Sequence, residues 1–212
     1  MFILLWDHRS EENSPSGGPE QLELDRVTEL IHPPTSDTSQ EPVLRGVVIR
    51  AFGNRFTVKS DSDEYDCAVR LNVKRDSPAA TPVAAGDDVE FTLIGNGRGI
   101  IERVAPRRTS FSRPWKGSSG RRQTLAANVD QLAIVVSVKE PPLKPGLIDR
   151  FTVSAAQGGL EPLVVINKID LGRTALVSEL EKAYRQIDIP VCAVCAAKRE
   201  TLSELEQLLS DK

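Results

Sequence analysis

Between residues 43 and 106, apolar and polar side chains alternate with a period of two. Five short runs follow this pattern: 43–50, 54–60, 64–70, 88–94 and 98–104. Such alternation is typical of strands with one buried face, and Gly-Asn or Gly-Asp turn signals separate several of the runs. Five short strands in about 60 residues predict a small closed barrel, most simply an OB-fold. An SH3-like barrel or an open meander would fit the same pattern.

After residue 129, continuous apolar runs replace the alternation. LAIVVSV (132–138), PLVVIN (162–167) and IPVCAVC (189–195) are typical of parallel strands that are buried on both faces. With helical spacings between them, the order β-α-β-α-β-α predicts a parallel sheet with right-handed crossovers. Such sheets bind ligands beyond the carboxyl ends of their strands. The predicted fold class is therefore a small all-β OB-fold barrel followed by a partial α/β domain.

Three helices are predicted from apolar residues that share one face. The first has apolar residues four apart and ends at a glycine pair: Leu147, Phe151, Ala155 and then Gly158-Gly159. The second has three apolar residues on one face and two more nearby: Leu176, Leu180 and Tyr184, with Val177 and Ile187. The third spans 201–209 and follows the last predicted strand.

Two segments lack a core-forming pattern. Residues 1–42 are rich in Ser, Pro, Gly and acids and predict a mostly disordered arm, in which only 22–31 has a helical spacing. The second segment, 107–128, predicts a linker. The predicted organisation is an acidic arm (1–42), an OB-fold barrel (43–106), a basic linker (107–128) and the first half of an α/β domain (129–212).

Charge is distributed unevenly, although the net charge is only −3. Residues 1–42 have nine acids against two arginines (−7), residues 43–128 have fifteen basic residues against nine acids (+6), and residues 129–212 have ten against twelve (−2). Only residues 43–128 have the net positive charge that favours binding to nucleic acid. The linker holds six basic residues and no acid: Arg107, Arg108, Arg113, Lys116, Arg121 and Arg122. Phe111 and Trp115 lie among them and would stack on unpaired bases. The alternative is a solvated loop with Trp115 against the barrel.

Composition excludes several classes of protein. No apolar stretch approaches the roughly 20 residues that cross a bilayer, and FILLW at 2–6 is too short for a signal-peptide core. We therefore expect a cytoplasmic protein without membrane contact. Three cysteines are too few for a disulfide framework. Cys192 and Cys195 have the spacing of a zinc or redox motif, but no second Cys/His pair accompanies them, so we expect both on a buried strand.

The motif NKID (167–170) ends the predicted strand 162–167. Guanine presents two adjacent donors, N1–H and the N2 amino group, whereas adenine presents an acceptor and a C–H at these positions. The Asp170 carboxylate would accept both guanine donors, and opposite adenine it would be left desolvated and unpaired. The aliphatic stem of Lys168 can lie over the purine face, and Asn167 can bond the base and hold the loop to neighbouring backbone. The pattern predicts a guanine site.

A guanine site also needs a donor for O6, usually a backbone N–H in the next strand-to-helix loop. The segment VCAAKRETLSEL (194–205) follows the third predicted strand and is similar to the Ser-Ala-Lys loop of GTPases. Matching the loop on Lys198 makes Ala197 the donor, whereas counting back from Leu202 without a gap makes it Ala196. We favour Ala196.

The phosphate-binding part of a nucleotide site is missing from the sequence. Neither a G-x-x-x-x-G-K-[ST] loop nor a convincing D-x-x-G motif occurs in the 212 residues. In an ordinary GTPase both precede NKxD, whereas here the barrel fills the upstream space. The phosphate-binding half is therefore either lost or belongs after residue 212, which would be a circular permutation.

Several stretches of this chain together resemble one family. They are GVVIRAFGNRFTV and AAGDDVEFTL in the barrel, PRRTSFSRP in the linker, and the combination of AANVDQ, LIDRF and NKIDL in the α/β part. The last combination is highly specific. From about residue 43 to residue 212 the chain resembles the ribosome-small-subunit-dependent GTPase A family (RsgA), circularly permuted GTPases of bacterial ribosome biogenesis.

The resemblance implies an OB domain followed by a permuted P-loop GTPase domain that begins with its guanine-recognition half. It implies GTP hydrolysis during late maturation of the small ribosomal subunit, by a cytoplasmic monomer. Asn167, Lys168 and Asp170 would read the guanine of GTP or GDP, with the Ala196/Ala197 loop at O6. The barrel and the basic linker would contact rRNA. The family also uses Mg²⁺ and a structural Zn²⁺, whose ligands, like the catalytic residues, are absent from these 212 residues.

One consequence of the missing phosphate loop is an expectation about activity. These residues alone should not hydrolyse GTP and should bind guanine nucleotides weakly, because phosphate and magnesium contacts account for most of phosphoryl-transfer catalysis. Two alternatives stay open. The chain could be a non-enzymatic RNA-binding OB protein with a vestigial half-GTPase domain, or an unrelated α/β domain with a chance NKxD.

Overall fold

A computed structural model of the chain describes residues 2–6, 42–70, 82–114 and 122–210. The strands are β1 Phe2–Trp6, β2 Leu44–Phe52, β3 Arg55–Ser60, β4 Asp63–Val69, β5 Asp88–Gly95, β6 Arg98–Val104, β7 Ser110–Pro114, β8 Arg122–Ala127, β9 Gln131–Ser137, β10 Glu161–Asn167 and β11 Val191–Ala193. The helices are α1 Pro145–Gln157, α2 Ala175–Arg185 and α3 Ser203–Leu209, with short 3-10 turns at Ile169–Leu171 and Arg199–Thr201. No helix within these ranges is both long and apolar enough to span a membrane.

Strands β2 to β6 form a closed barrel in the order β2-β3-β4-β6-β5. All neighbours are antiparallel except β4 and β6, which are parallel. Alternate residues point inward, so Val58, Phe91 and Ile101 are fully buried in the barrel core. Closure of the barrel excludes the open meander and confirms the predicted five-stranded OB-type barrel.

The second half forms a parallel sheet in the order β1-β9-β10-β11. Every residue of β9 is buried, as expected for a strand covered on both faces. Helices α1 and α2 cover one core cluster, which includes Leu132, Ile148 and Val164, and residues of α3 pack on a second cluster around Leu163. The predicted parallel sheet is confirmed.

The first strand lies within the segment that the sequence assigned to a disordered arm. Residues 2–6 pair in parallel with β9, in a register that runs from Phe2 opposite Gln131 to Trp6 opposite Val135. A short apolar strand satisfies backbone groups that β9 would otherwise leave unpaired at the edge of the sheet. The arm prediction is therefore wrong for 2–6, and 7–41, with the candidate helix 22–31, lie outside the described residues.

The segment predicted as a linker forms an antiparallel hairpin, β7–β8. Its inner face is apolar: Phe111 is fully buried, and its ring lies 6.1 Å from that of Phe151 on α1. The Ser110 N–H donates to the Gly158 carbonyl over 3.0 Å. A Cβ on Gly158 would lie 1.9 Å from the Ser110 carbonyl oxygen, so only glycine permits this approach. The linker prediction is wrong for these strands. Exposed basic residues interrupt the short alternation of buried and exposed positions in β7 and β8.

The buried face of α2 differs in part from the predicted one. In α2 the buried residues are Val177, Leu180, Glu181 and Tyr184, whereas Leu176 is 38% exposed and Ile187 is 62% exposed. The buried face is thus shifted from the predicted one, because Val177, Leu180 and Tyr184 pack in the core.

All three cysteines are free and buried. Cys192 lies on β11 as predicted, whereas the prediction of a strand is wrong for Cys195, which lies in the loop after β11. Burial raises the pKa of the Cys67 and Cys192 thiols to about 11.

Candidate guanine site

The candidate site lies where two adjacent parallel strands end. β10 ends at Asn167 and β11 ends at Ala193, and the two strands pair with Ile166 opposite Ala193. The loops that follow them therefore leave the same edge of the sheet. The Val194 N–H donates to the Ile166 carbonyl over 2.8 Å, and the Ile169 N–H donates to the Val194 carbonyl over 3.3 Å. These bonds bring the NKID segment beside the 195–198 loop, as the sequence predicts.

Asn167 joins the two loops through its side chain. The residue is only 6% exposed, and its Oδ1 accepts from the backbone N–H of Lys168 over 2.7 Å and of Ala196 over 3.0 Å. Both bonds use the side-chain oxygen. These bonds therefore do not use the two donors of the Nδ2 amino group. The structure thus gives Asn167 the loop-holding contact that the sequence suggested.

Lys168 is fixed in an uncommon conformation. Its φ of 63° places the backbone in the left-handed region, which is rare for residues other than Gly and Asn. Its Nζ donates to the backbone carbonyl of Glu140, in the loop after β9. The aliphatic stem of Lys168 therefore extends from the NKID segment to the neighbouring loop after β9.

Asp170 lies in the 3-10 turn Ile169–Leu171 and is exposed. Within the described ranges, no arginine or lysine lies within ion-pair distance of its carboxylate. The nearby Arg173 instead pairs with Glu181 on α2. The Asp170 carboxylate is thus held on a short turn and is open to donors from a ligand.

The loop at 195–198 is fastened by Thr201. The Thr201 Oγ1 accepts from the Cys195 N–H over 2.9 Å and also contacts the Cys195 carbonyl at 3.0 Å. The Lys198 N–H donates to the Cys195 carbonyl over 2.8 Å. These contacts close a tight turn that presents Ala196 and Ala197 at the surface.

The hydrogen bonds of this turn bear on the expected donor for O6. The Ala196 N–H already donates to Asn167, whereas the structure shows no acceptor for the Ala197 N–H in the described part of the chain. Of the two N–H groups considered for O6, the Ala196 N–H favoured from the sequence is thus already used within the protein. The sequence also did not predict the roles of Thr201 and of the Glu140 carbonyl. A hydroxyl that closes a turn and a backbone carbonyl that accepts a hydrogen bond belong to no sequence motif.

The basic residues predicted for RNA binding have different surroundings. Arg107 is largely buried and pairs with Asp87, so it is not a free surface cation. Arg108 is 69% exposed and lies 3.8 Å from Asp130. Exposed side chains of the hairpin make local bonds: Arg113 to Gln123 and Arg122 to the Ser112 carbonyl. Lys116 and Arg121, like Trp115, lie outside the described residues.

The site is an open edge of the sheet. A cavity of about 610 Å³ lies elsewhere, on the barrel, and its lining includes Arg45, Lys59 and Arg103. A much smaller one lies beside the loop after β9 and includes Lys144. No group of three or more His, Cys, Asp or Glu residues that could hold a metal ion occurs within the described ranges.

Comparisons with known proteins agree with this geometry. A family model described as RsgA GTPase matches residues 104–212. The small ribosomal subunit biogenesis GTPase RsgA of Chlorobaculum tepidum is 34% identical over 178 residues, which cover 80% of this chain and 57% of the relative. The protein of the same name from Shewanella oneidensis is 32% identical over 191 residues, covering 85% of this chain and 51% of the relative.

Two solved structures are similar to this chain. The crystal structure of YjeQ from Thermotoga maritima is 31% identical with a TM-score of 0.59, covering 79% of this chain and 57% of that one. YloQ, a circularly permuted GTPase, shares the fold at 22% identity with a TM-score of 0.55, covering 84% of this chain and 60% of that one. This chain thus spans little more than half the length of the relatives it matches. Because the family model covers residues 104–212, slightly more than half of the chain, the chain belongs to the RsgA GTPase family.

Proposed function

We propose that this chain provides the guanine-recognition and RNA-contacting part of a GTPase that acts in maturation of the small ribosomal subunit in the cytoplasm. One observation supports the nucleotide role above the others. A single buried side chain, Asn167, ties NKID to the loop that carries Ala197. This contact supports the proposal because it would hold the reader of one guanine edge beside a donor for O6, whereas a chance NKxD has no reason to make it. The relatives' names support the role in subunit biogenesis.

Base recognition follows from the positions of four groups. The Asp170 carboxylate accepts from N1–H and the N2 amino group of guanine, two charge-assisted bonds that adenine cannot form. The Ala197 N–H donates to O6, and Nδ2 of Asn167 donates to a further acceptor on the base. The Lys168 stem covers the purine face. An adenine base would leave the carboxylate unpaired and would place an amino group opposite the Ala197 N–H.

Metal ions enter this proposal only through the family. The described residues contain no cluster of three or more His, Cys, Asp or Glu residues of the kind that holds a structural Zn²⁺ ion. The role of these residues is to bind and orient the base.

The chain alone is expected not to hydrolyse GTP. Positioning and electrostatic stabilisation of the phosphates account for most of the rate of phosphoryl transfer, and the sequence has no G-x-x-x-x-G-K-[ST] loop for them. Phosphate release by the purified chain, with and without Mg²⁺, measures this directly. Metal-dependent turnover at about 10⁻⁴ per second or faster, the scale of an intrinsic GTPase, would contradict the proposal.

The barrel carries features that suit RNA contact. Phe52, the last residue of β2 before the turn into β3, is 87% exposed, and Ile94, beside the turn between β5 and β6, is 46% exposed. These two turns are the loops that OB-folds use for oligonucleotides. Arg55 and Arg98 lie near the same end of the barrel, because Asp66 pairs with Arg55 and lies opposite Arg98 in the sheet register. An exposed ring beside cations would stack on unpaired bases next to phosphates.

Binding of the chain to the small ribosomal subunit is expected to depend on salt and on the exposed hairpin cations. Replacing Arg108 and Arg122 together by Ala should lower the slope of log affinity against log salt by about two, one for each lost phosphate contact. Co-sedimentation at several salt concentrations measures this slope. Arg107 is left intact because its partner is buried.

The matched control removes two exposed cations from the helices, Arg150 and Lys182. This variant has the same net charge as the Arg108 and Arg122 variant, so a general effect of charge would change both equally. Equal slopes for the two variants would count against a role of the hairpin in RNA contact.

A further inference from the structure

Asp87 is a buried carboxylate in the turn that precedes β5. Its side chain is fully buried, and Oδ1 and Oδ2 accept from Nε and Nη2 of Arg107 over 2.7 and 2.8 Å. The Ala84 N–H donates to Oδ2 over 2.7 Å. The turn itself is held to β2, because the Val48 N–H donates to the Asp87 carbonyl over 2.9 Å. Asp87 therefore belongs rigidly to the barrel.

Arg107 extends from the end of the barrel to the hairpin. Its Nη1 donates to Thr124 Oγ1 on β8 over 3.1 Å, and Ser112 Oγ on β7 lies 3.3 Å from the same hydroxyl. The Arg107 side chain is 18% exposed, whereas the arginines in the other ion pairs of the described residues are 53–85% exposed. The two-bond geometry fixes direction as well as distance.

Asn128 makes a second connection beside the first. Its Nδ2 donates to the Gly86 carbonyl over 2.9 Å, and its Oδ1 accepts from the Arg108 N–H over 2.9 Å. The Ala127 N–H donates to the Ala85 carbonyl over 2.8 Å. The turn at 84–87 is thus bound to both ends of the hairpin segment.

The hairpin is in turn attached to the half that carries the guanine site. Ser154 Oγ on α1 donates to the Ser112 carbonyl over 2.9 Å, close to the ring contact between Phe111 and Phe151. α1 follows the loop whose Glu140 carbonyl accepts from Lys168. A continuous series of contacts therefore runs from the barrel through Arg107 to the neighbourhood of the base site.

We propose that Asp87 and Arg107 are positioning residues that hold the barrel and the guanine-site half in one fixed orientation. Burying a charged pair costs desolvation free energy, so such a pair is weak evidence for stability, but its fixed geometry can specify one arrangement. In the context of the proposed function, RNA on the barrel and a nucleotide at NKID are then held at a constant separation. Segments between domains otherwise permit relative motion by default.

A distance measurement on the whole chain tests this proposal without nucleotide or RNA, so its failure is distinct from failure of the proposed function. Spin labels are attached to cysteines introduced at Ser62, in the exposed turn between β3 and β4, and at Ser178, on the exposed face of α2. The native cysteines are buried and do not compete for the label. The intact pair should give one narrow distance distribution.

The variants Arg107→Lys and Asp87→Asn remove the two-bond geometry while keeping similar side-chain volume. Each should widen the distribution at least about twofold, as expected for domains that are free to move. Arg108→Lys is the matched control, since Arg108 is exposed, and should leave the distribution narrow. Barrel amide resonances, including that of Ile101, show whether the barrel stays folded.

The outcome is decided on variants with a folded barrel. If Arg107→Lys and Asp87→Asn both unfold it, the double variant Asp87→Asn with Arg107→Gln takes their place, because it removes the ion pair without leaving a buried charge unpaired. A narrow, unshifted distribution in the folded variants would overturn the proposal. Widening in Arg108→Lys as well would also overturn it, because the effect would then not belong to the buried pair.

Discussion

Replacing Asp170 by Asn is expected to abolish binding of GMP and to create binding of XMP. The carboxylate accepts two charge-assisted bonds, each contributing about 1.5–3 kcal/mol, so GMP affinity should fall roughly 100-fold or more. The amide of Asn presents one acceptor and one donor. With xanthine, the amide oxygen would accept from N1–H and the amide nitrogen would donate to the C2 carbonyl. With guanine, the same nitrogen would face the C2 amino group, which is also a donor. The base preference should therefore reverse.

Amide chemical-shift titration of the chain with each monophosphate measures this reversal. The matched control is Asp63→Asn, an exposed barrel aspartate whose replacement changes charge equally. It should leave GMP binding intact. If Asp170→Asn keeps the wild-type preference for GMP, the carboxylate does not read the purine edge.

Replacing Asn167 by Ala is expected to separate the two loops of the site. The change removes the acceptor for the Lys168 and Ala196 N–H groups, and lost bonds at a buried residue cost about 1–3 kcal/mol each. The free energy of unfolding should therefore fall by roughly 2 kcal/mol or more, and GMP binding should be lost. Urea denaturation and the position of the Ala196 amide resonance measure the two effects.

The variant Asn167→Asp separates loop holding from base binding. A carboxylate still accepts from both N–H groups, so most of the stability and the Ala196 resonance should be kept. It lacks the Nδ2 donor, so GMP binding should still be lost. Equal stability of Asn167→Ala and the unmodified chain would show that Asn167 does not hold the loops together.

The sequence predicts the barrel and the parallel sheet because both are encoded by local periodicity. Alternation across 43–104 marks each barrel strand, and continuous apolar runs mark β9 and β10. The position of the NKID motif was also predictable, because the motif follows a buried strand and the carboxyl ends of such parallel strands lie at one edge of the sheet. These signals depend on neighbouring residues and need no knowledge of tertiary contacts.

The parts that the sequence did not reveal depend on contacts between distant residues. Arg107 was counted as an RNA-binding cation, since its partner Asp87 lies 20 residues away and no spacing rule connects them. The proposal of Ala197 rather than Ala196 as the donor to O6 depends on the bond that the Ala196 N–H donates to Asn167, 29 residues away. The strand β1 was missed because five apolar residues form a strand only when a sheet edge accepts them.

The hairpin shows a different limit of sequence reasoning. Its strands are five and six residues long, and exposed arginines interrupt the apolar positions. Basic, Gly- and Ser-rich composition at 105–128 is typical of linkers, and only burial of Phe111 against α1 gives the segment its order. Packing against another element decided the structure, as it does for many short strands.

The most direct test of the guanine site compares GMP with AMP on the unmodified chain. The two ligands have the same phosphate charge, so a difference reports the base alone. The account predicts binding of GMP with a Kd on the order of 1 mM, with a clear shift of the Ala197 amide resonance, and no saturable binding of AMP. Equal shifts with both ligands, or GMP shifts confined to residues away from 167–170 and 195–198, would contradict it.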